Sequence, residues 1–311
     1  MSIPTAAAPD RVSVSFCLID RAGGVLAAEG ADRPYYAAST IKLHVLLTAL
    51  RAADGGALDL EATVPATRTF TCCDGTRFTL GGDHLDPTHP ADGAAISVRD
   101  LLRRMIDRSS NEATNHLVEL IGIDAVDETI QRLELGATRV ERLIGDAAAL
   151  EAGRTNETSA DDLARTMLAL VRRDEATAGP DAHRARHPAT LPAQSRQSAQ
   201  PRRSTQARHS AWDPRAAQSP QPSLSIASVE LARAALRAQQ IPLITTAVRE
   251  DVDHGSKSGW VDGYRHDVAF LGDPDGEELH VLAAMTSGLQ PQEADARIAQ
   301  LVRDLLPAAT A

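Results

Sequence analysis

Residues 36–50 read Tyr-Ala-Ala-Ser-Thr-Ile-Lys-Leu-His-Val-Leu-Leu-Thr-Ala-Leu. From Ser39 onward the apolar residues recur at helical spacing, and the pattern stops at Asp54-Gly55-Gly56, a good terminator. Ser39 is therefore expected at a helix start, with the Lys42 amine one turn on and on the same face. The unpaired N–H groups and positive dipole end of a helix start stabilise an alkoxide forming there. A serine hydroxyl is a poor nucleophile until a base takes its proton, and a neutral lysine can be that base. Of the 32 basic residues only Lys42 and Lys257 are lysine. Arginine keeps its charge, whereas a buried lysine can lose its proton, so the placement of these two points to chemistry.

Working outward, residues 12–19 alternate and are rich in β-branched types, and Gly23-Gly24 leads into a second apolar run at 25–28, which reads as a hairpin. Ser97-Val98-Arg99-Asp100 is a capping-type entry to a helix, and another follows from Asn111 to Ile121. A further helix is expected over 160–173, with Asp161 and Asp162 in its first turn, where negative charge meets the dipole favourably. Helical pattern returns at 226–240. Residues 265–272 and 278–287 read as strands joined by an Asp273-Pro274-Asp275-Gly276 turn, and an amphipathic helix spans 292–306. Strands at both chain ends with helices between predict an α+β fold of three α/β/α layers. One antiparallel sheet is assembled from residues 1–38 and 224–311, with a helical subdomain, 39–180, inserted and a cleft between.

Residues 181–223 are Pro, Gln, Ser, Ala and Arg with few large apolar residues, and are expected to form a disordered insertion. The net charge of −10 argues against nucleic acid or anionic membrane as a partner. Three cysteines, Cys17, Cys72 and Cys73, make no disulfide framework. The N-terminus lacks the basic and apolar regions of a secretory signal and no run suits a membrane helix, so a cytoplasmic monomer is expected from the chain as written, or a secreted one if its start lies upstream.

Ser-x-x-Lys alone occurs often on solvated helices. Two further segments add weight: Ser109-Ser110-Asn111 at a junction of two helical patterns, and Lys257-Ser258-Gly259 ahead of a sheet-like run. Singly, the first is an ordinary N-cap and the second a strand edge with a turn glycine. In this order the three resemble the motifs of the penicillin-recognising serine hydrolases, and within them the class A β-lactamases, over most of the chain except residues 181–223 and the short N-terminus. The resemblance implies that Ser39 attacks an acyl carbonyl with Lys42 as base, and that Ser109 passes the proton to the leaving nitrogen. It implies that Asn111 holds the substrate amide and that Lys257, Ser258 and Gly259, assisted by Arg265 or His266, receive the substrate carboxylate. The backbone N–H groups of Ser39 and Trp260 would form the oxyanion hole. The implied partner is a small β-lactam, acyl-peptide or ester; no cofactor and no metal is implied.

One departure stands out. The resemblance places a water-activating glutamate in a loop between the second and third motifs, and here that position is Ile144, which cannot act as a base. Asp146 and Glu151 are the nearest acids, with Asp146 the candidate replacement base and Glu141 a structural partner. Asn156 replaces the aspartate that would pair with Arg142. Release of the acyl group is thus less well supported than its formation, which leaves a D-Ala-D-Ala peptidase or esterase, or an acyl-trapping sensor, as alternatives. A zinc site from Cys72, Cys73, His84, Asp86 and His89 has the wrong cysteine spacing.

Overall fold

The computed structural model describes residues 11–82, 85–173 and 223–310. The expected insertion, Ser223 apart, lies outside the described residues, as does His84. The described residues, Ser223 apart, form one compact unit.

Its centre is a five-stranded antiparallel sheet in the order β10 (His254–Val261), β11 (Tyr264–Leu271), β12 (His280–Ser287), β1 (Ser13–Asp20) and β2 (Val25–Glu29). Strand β1 (Ser13–Asp20) pairs with β12 (His280–Ser287) along its whole length, from Ser13 opposite Ser287 to Asp20 opposite His280. The two ends of the chain therefore meet in the middle of the sheet. Strand β2 (Val25–Glu29) closes one edge through the anticipated hairpin, and β10 (His254–Val261) forms the other, paired to β11 (Tyr264–Leu271).

Alternation along the strands splits the core. Cys17, Ile19, Val268, Phe270, Val281, Ala283 and Met285 point toward one helical layer, whereas Leu18, Ala269, Leu271, Leu282 and Ala284 point toward the other. The first layer contains α1 (Lys42–Asp54), α2 (Val98–Asp107), α3 (Asn111–Ile121), α6 (Ala160–Val171) and α7 (Ile226–Arg237). The second is α8 (Pro291–Leu305), which contributes Ile298, Leu301 and Val302. Every residue of α1 from Lys42 to Leu50 is buried, as befits a helix surrounded by others. This is the three-layer α+β arrangement expected. Among the described residues no helix is long and apolar enough to cross a membrane.

Several caps follow sequence rules: the hydroxyls of Ser97, Ser110, Ser159 and Ser225 each accept the N–H of the residue three positions on. The third motif departs from expectation. Lys257-Ser258-Gly259 lies inside β10 and not ahead of a strand. Lysine, serine and glycine are weak strand formers, so local propensity hides a strand that pairing with β11 enforces. Also unforeseen are α4 (Ile123–Arg132), α5 (Ala147–Glu151) and the two- and three-residue strands β3 (Tyr35–Tyr36), β4 (Thr63–Pro65), β5 (Thr69–Thr71), β6 (Arg77–Thr79), β7 (Ala95–Ser97), β8 (Arg139–Val140) and β9 (Asn156–Thr158). Such short pieces carry too few residues to show a period.

Candidate active site

Ser39 sits in a 3-10 turn, Ala38–Ile41, that leads directly into α1. Three non-glycine residues among those described have positive φ, and two of them carry the site: Ala38 (φ 47) just before Ser39, and Ser109 (φ 55). Left-handed backbone at such residues is costly and is held by surrounding structure, as is common where side chains must be aimed.

The strand β10 lies hard against this turn. A Cβ on Gly259 would come within 2.7 Å of the backbone nitrogens of Ser39 and Thr40 and 3.2 Å of the Ala37 carbonyl oxygen. Only glycine permits that approach. It brings the third motif to the first, and half-buried Trp260 follows in the strand.

Lys42 is the hub. Its Nζ is 3.0 Å from Ser39 Oγ, 2.6 Å from the Ser109 carbonyl oxygen, 3.1 Å from Ser109 Oγ and 2.8 Å from Asn111 Oδ1, and the side chain is wholly buried. Lys257, equally buried, donates to the same Ser109 Oγ at 3.1 Å and to the Ser258 carbonyl at 2.6 Å. The Ser109 hydroxyl thus bridges the two lysines. Burial, then repulsion from Lys257, holds Lys42 well below the ordinary lysine range, against the pull of Glu112. Burial lowers Lys257 to about 7, opposed by the Asp267 carboxylate. The two lysines of the sequence are therefore in one buried network in which a neutral amine is favoured.

In the second motif the roles separate. Ser110 takes the N-cap of α3, its hydroxyl also donating to Glu112 Oε2 at 2.9 Å, which leaves Ser109 and Asn111 to face Lys42. One turn further, Asn115 grips Ile144: its Nδ2 donates to the Ile144 carbonyl and its Oδ1 accepts the Ile144 N–H, both at 2.8 Å. Half-buried Ile144 is thereby fixed beside the helix that carries Asn111. Asn115 escaped the sequence reading, although its spacing of four from Asn111 puts it on the same helical face.

Asp146 is held by backbone donors. Its Oδ1 accepts the Ala149 N–H at 2.9 Å as the N-cap of α5, and its Oδ2 accepts the Cys73 N–H at 2.9 Å. Both oxygens accept backbone N–H groups, so the carboxylate pins the loop. Glu151 is exposed at the end of α5, and Glu141 is structural, accepting the Thr155 N–H at 2.8 Å. Asn156 accepts the N–H groups of Glu141 and Arg142 and donates to the Arg142 carbonyl at 3.1 Å. Arg142, buried, donates to Tyr36 Oη at 3.0 Å and stacks on its ring, with no carboxylate partner among the described residues.

Three residues expected at the substrate carboxylate also have partners within the protein. Ser258 Oγ donates to the Ile241 carbonyl, with Gln239 Nε2 3.5 Å away. Arg265 makes a two-pronged pair with Asp295 of α8, one prong at 2.8 Å. His266 is buried between the Tyr36 carbonyl and the Thr286 N–H, which uses both ring nitrogens, and burial lowers it to about 4. As for zinc, Asp86 pairs with Arg104 at 2.9 Å, Cys73 is exposed, and among the described residues no group of three or more His, Cys, Asp or Glu could hold a metal ion.

A family model described as the beta-lactamase enzyme family matches residues 3–186 and 184–308. No curated protein matches the sequence. Among solved structures, a β-lactamase from Sphaerobacter thermophilus DSM 20745 is 22% identical, covering 96% of this chain and 90% of its own, with a TM-score of 0.66. A β-lactamase from Xanthomonas campestris pv. campestris str. ATCC 33913 is 19% identical over 95% and 92%, with a TM-score of 0.65. A mutant of PBP-A, solved as an acyl-enzyme complex with penicillin G, is 18% identical over 96% and 92%, with a TM-score of 0.64.

Proposed function

The chain belongs to the beta-lactamase enzyme family, and from that premise we propose that it is a serine hydrolase which forms a covalent acyl-enzyme at Ser39 and releases it slowly. The observation that carries the proposal is the buried Lys42 amine 3.0 Å from Ser39 Oγ. Neutral Lys42 takes the Ser39 proton as Oγ bonds to the acyl carbon of a β-lactam or other activated acyl compound. The C–N or C–O bond then breaks, and the proton passes from Lys42 through the Ser109 hydroxyl to the departing nitrogen or oxygen, the path that the 3.1 Å contact favours. The Ser39 and Trp260 N–H groups are the proposed donors to the oxyanion, and Asn111 to the substrate amide.

Release requires a base for water. Ile144 is apolar, and Asp146 is committed to two backbone N–H groups. These observations favour a long-lived adduct over rapid turnover.

Intact mass spectrometry after mixing with benzylpenicillin tests the reading: a lasting adduct is expected on the wild type and none on Ser39→Ala. Ile144→Glu should shorten the adduct lifetime by about 10²–10⁴-fold, the usual worth of a general base. An adduct that survives Ser39→Ala overturns the assignment, and rapid return to free mass in the wild type overturns slow release. Hydrolysis of esters or D-Ala-D-Ala peptides without a penicillin adduct would move the substrate to that class.

A further inference from the structure

The start of β11, the end of β12 and the start of β1 lie in one row across the sheet, with Tyr264 opposite Ser287 and Ser287 opposite Ser13. The segment Arg33-Pro34-Tyr35, which leads toward the Ser39 turn, lies against this row, and together with Arg11 and Val12 it walls an open cleft of about 660 Å³. The walls are tied to one another. The hydroxyls of Ser287, Ser13, Tyr35 and Ser15 form one chain, at 2.7, 3.0 and 2.8 Å in turn. None of the lining residues is acidic, and two are arginine. Arg11 and Arg33 are exposed, and neither makes an ion pair with a described residue. Other surface arginines do pair, as Arg99 with Glu61, Arg165 with Asp161 and Arg249 with Asp251. Two arginines left open on one cleft, in a chain of net charge −10, make a local positive field, and the planar guanidinium fork matches an oxyanion. The cleft shares no lining residue with the three motifs. Arg265, next to Tyr264 in β11, turns to the opposite face of the sheet, where Asp295 of α8 takes it.

We propose that this cleft is a second ligand site, which binds an oxyanion, the phosphate or carboxylate group of a small ligand, between Arg11 and Arg33. The site is additional to the chemistry at Ser39. Binding is read without acylation, so failure of this proposal and failure of the Ser39 reading are separate results.

Isothermal titration of the full-length protein at constant ionic strength uses two probes, inorganic phosphate and citrate. Saturable binding is expected with a dissociation constant on the order of 1 mM, the affinity that two charge-assisted contacts at an open site support. Arg11→Gln and Arg33→Gln should each weaken it about tenfold or more. Arg77→Gln removes an exposed arginine of β6, outside the cleft, and should leave binding within about twofold. Oxyanions held elsewhere, by Lys257 or by the seven arginines of residues 181–223, are common to all four proteins and cancel in the comparison. Because Arg11 and Arg33 are exposed, their variants should melt with the wild type when no probe is present, which separates lost binding from lost structure. The tighter probe names the source: phosphate points to a phosphorylated ligand, citrate to a polycarboxylate. Equal affinity in the wild type and both cleft variants, or no saturation well above the expected constant, overturns the proposal.

Discussion

Lys42 Nζ has four oxygens within 3.1 Å, one more than an ammonium has protons. In the neutral form two protons go to the Ser109 carbonyl and Asn111 Oδ1, and the lone pair is left to face a hydroxyl. The lowered pKa favours that neutral form. Lys42→Met keeps most of the buried stem and removes the amine, and the rate of Ser39 acylation should fall by about 10²–10⁴-fold in rapid-mixing mass measurements. Because the base must be neutral and its pKa is lowered, the wild-type rate should reach its plateau well below the pH at which an ordinary lysine loses its proton, and should fall as acid protonates Lys42. A rate that instead climbs toward pH 10, as for an ordinary lysine, would contradict the lowered pKa.

At the scale of elements, the site exists because β10 touches the turn before α1. Gly259→Ala puts a methyl group 2.7 Å from two backbone nitrogens that cannot move independently. The strand must shift, at a cost of about 1–3 kcal/mol, and misplacement on that scale should lower acylation by about 10²-fold. Thermal melts beside acylation rates distinguish this from simple unfolding. The loop over the site depends on a different device. Asp146→Ala removes the cap of α5 and the acceptor for Cys73, so denaturant midpoints should report a loss of about 1–2 kcal/mol. Deacylation of any penicillin adduct should stay unchanged, since the carboxylate is a clamp; a slowed deacylation would return Asp146 to the role of base.

The whole molecule carries an acid liability. His44 is buried between the hydroxyls of Thr158 and Thr166, and burial lowers it to about 3, while His266 falls to about 4. For a base whose folded pKa is depressed below the unfolded value of 6.5, stability is present above 6.5 and is lost as pH falls toward the folded pKa. At pH 5 each histidine withdraws about 2 kcal/mol. Asp267, raised by burial from 3.8 to about 6, works the other way between those values and returns about 1 kcal/mol at pH 5. The buried lysines act in the same direction as the histidines. Urea melts should therefore show a lower midpoint at pH 5 than at pH 7.5, and a midpoint that rises on acidification would contradict the burial of neutral His44 and His266.

What the sequence determined by itself is local and periodic. The 3.6 spacing of 43–50, the serine caps at 97 and 159, the hairpin glycines and the alternation of the terminal strands are short-range physics, and these elements stand where they were expected. The three motifs, and the placement of the only two lysines in them, were also legible, because chemistry at a nucleophile restricts residue types to few choices. What only the tertiary structure decided are the partners across long separations. Lys257 joins Ser109 over 148 positions, Arg265 is claimed by Asp295, Ser258 by Ile241 and Asp146 by Cys73, and none of these pairings leaves a spacing to read. A residue's type states which hydrogen bonds it can make. Which one it makes is fixed by the packing of strand on turn and helix on sheet, and that is why the three motifs could be read from the chain while the partners of Ser258, Arg265 and Asp146 could not.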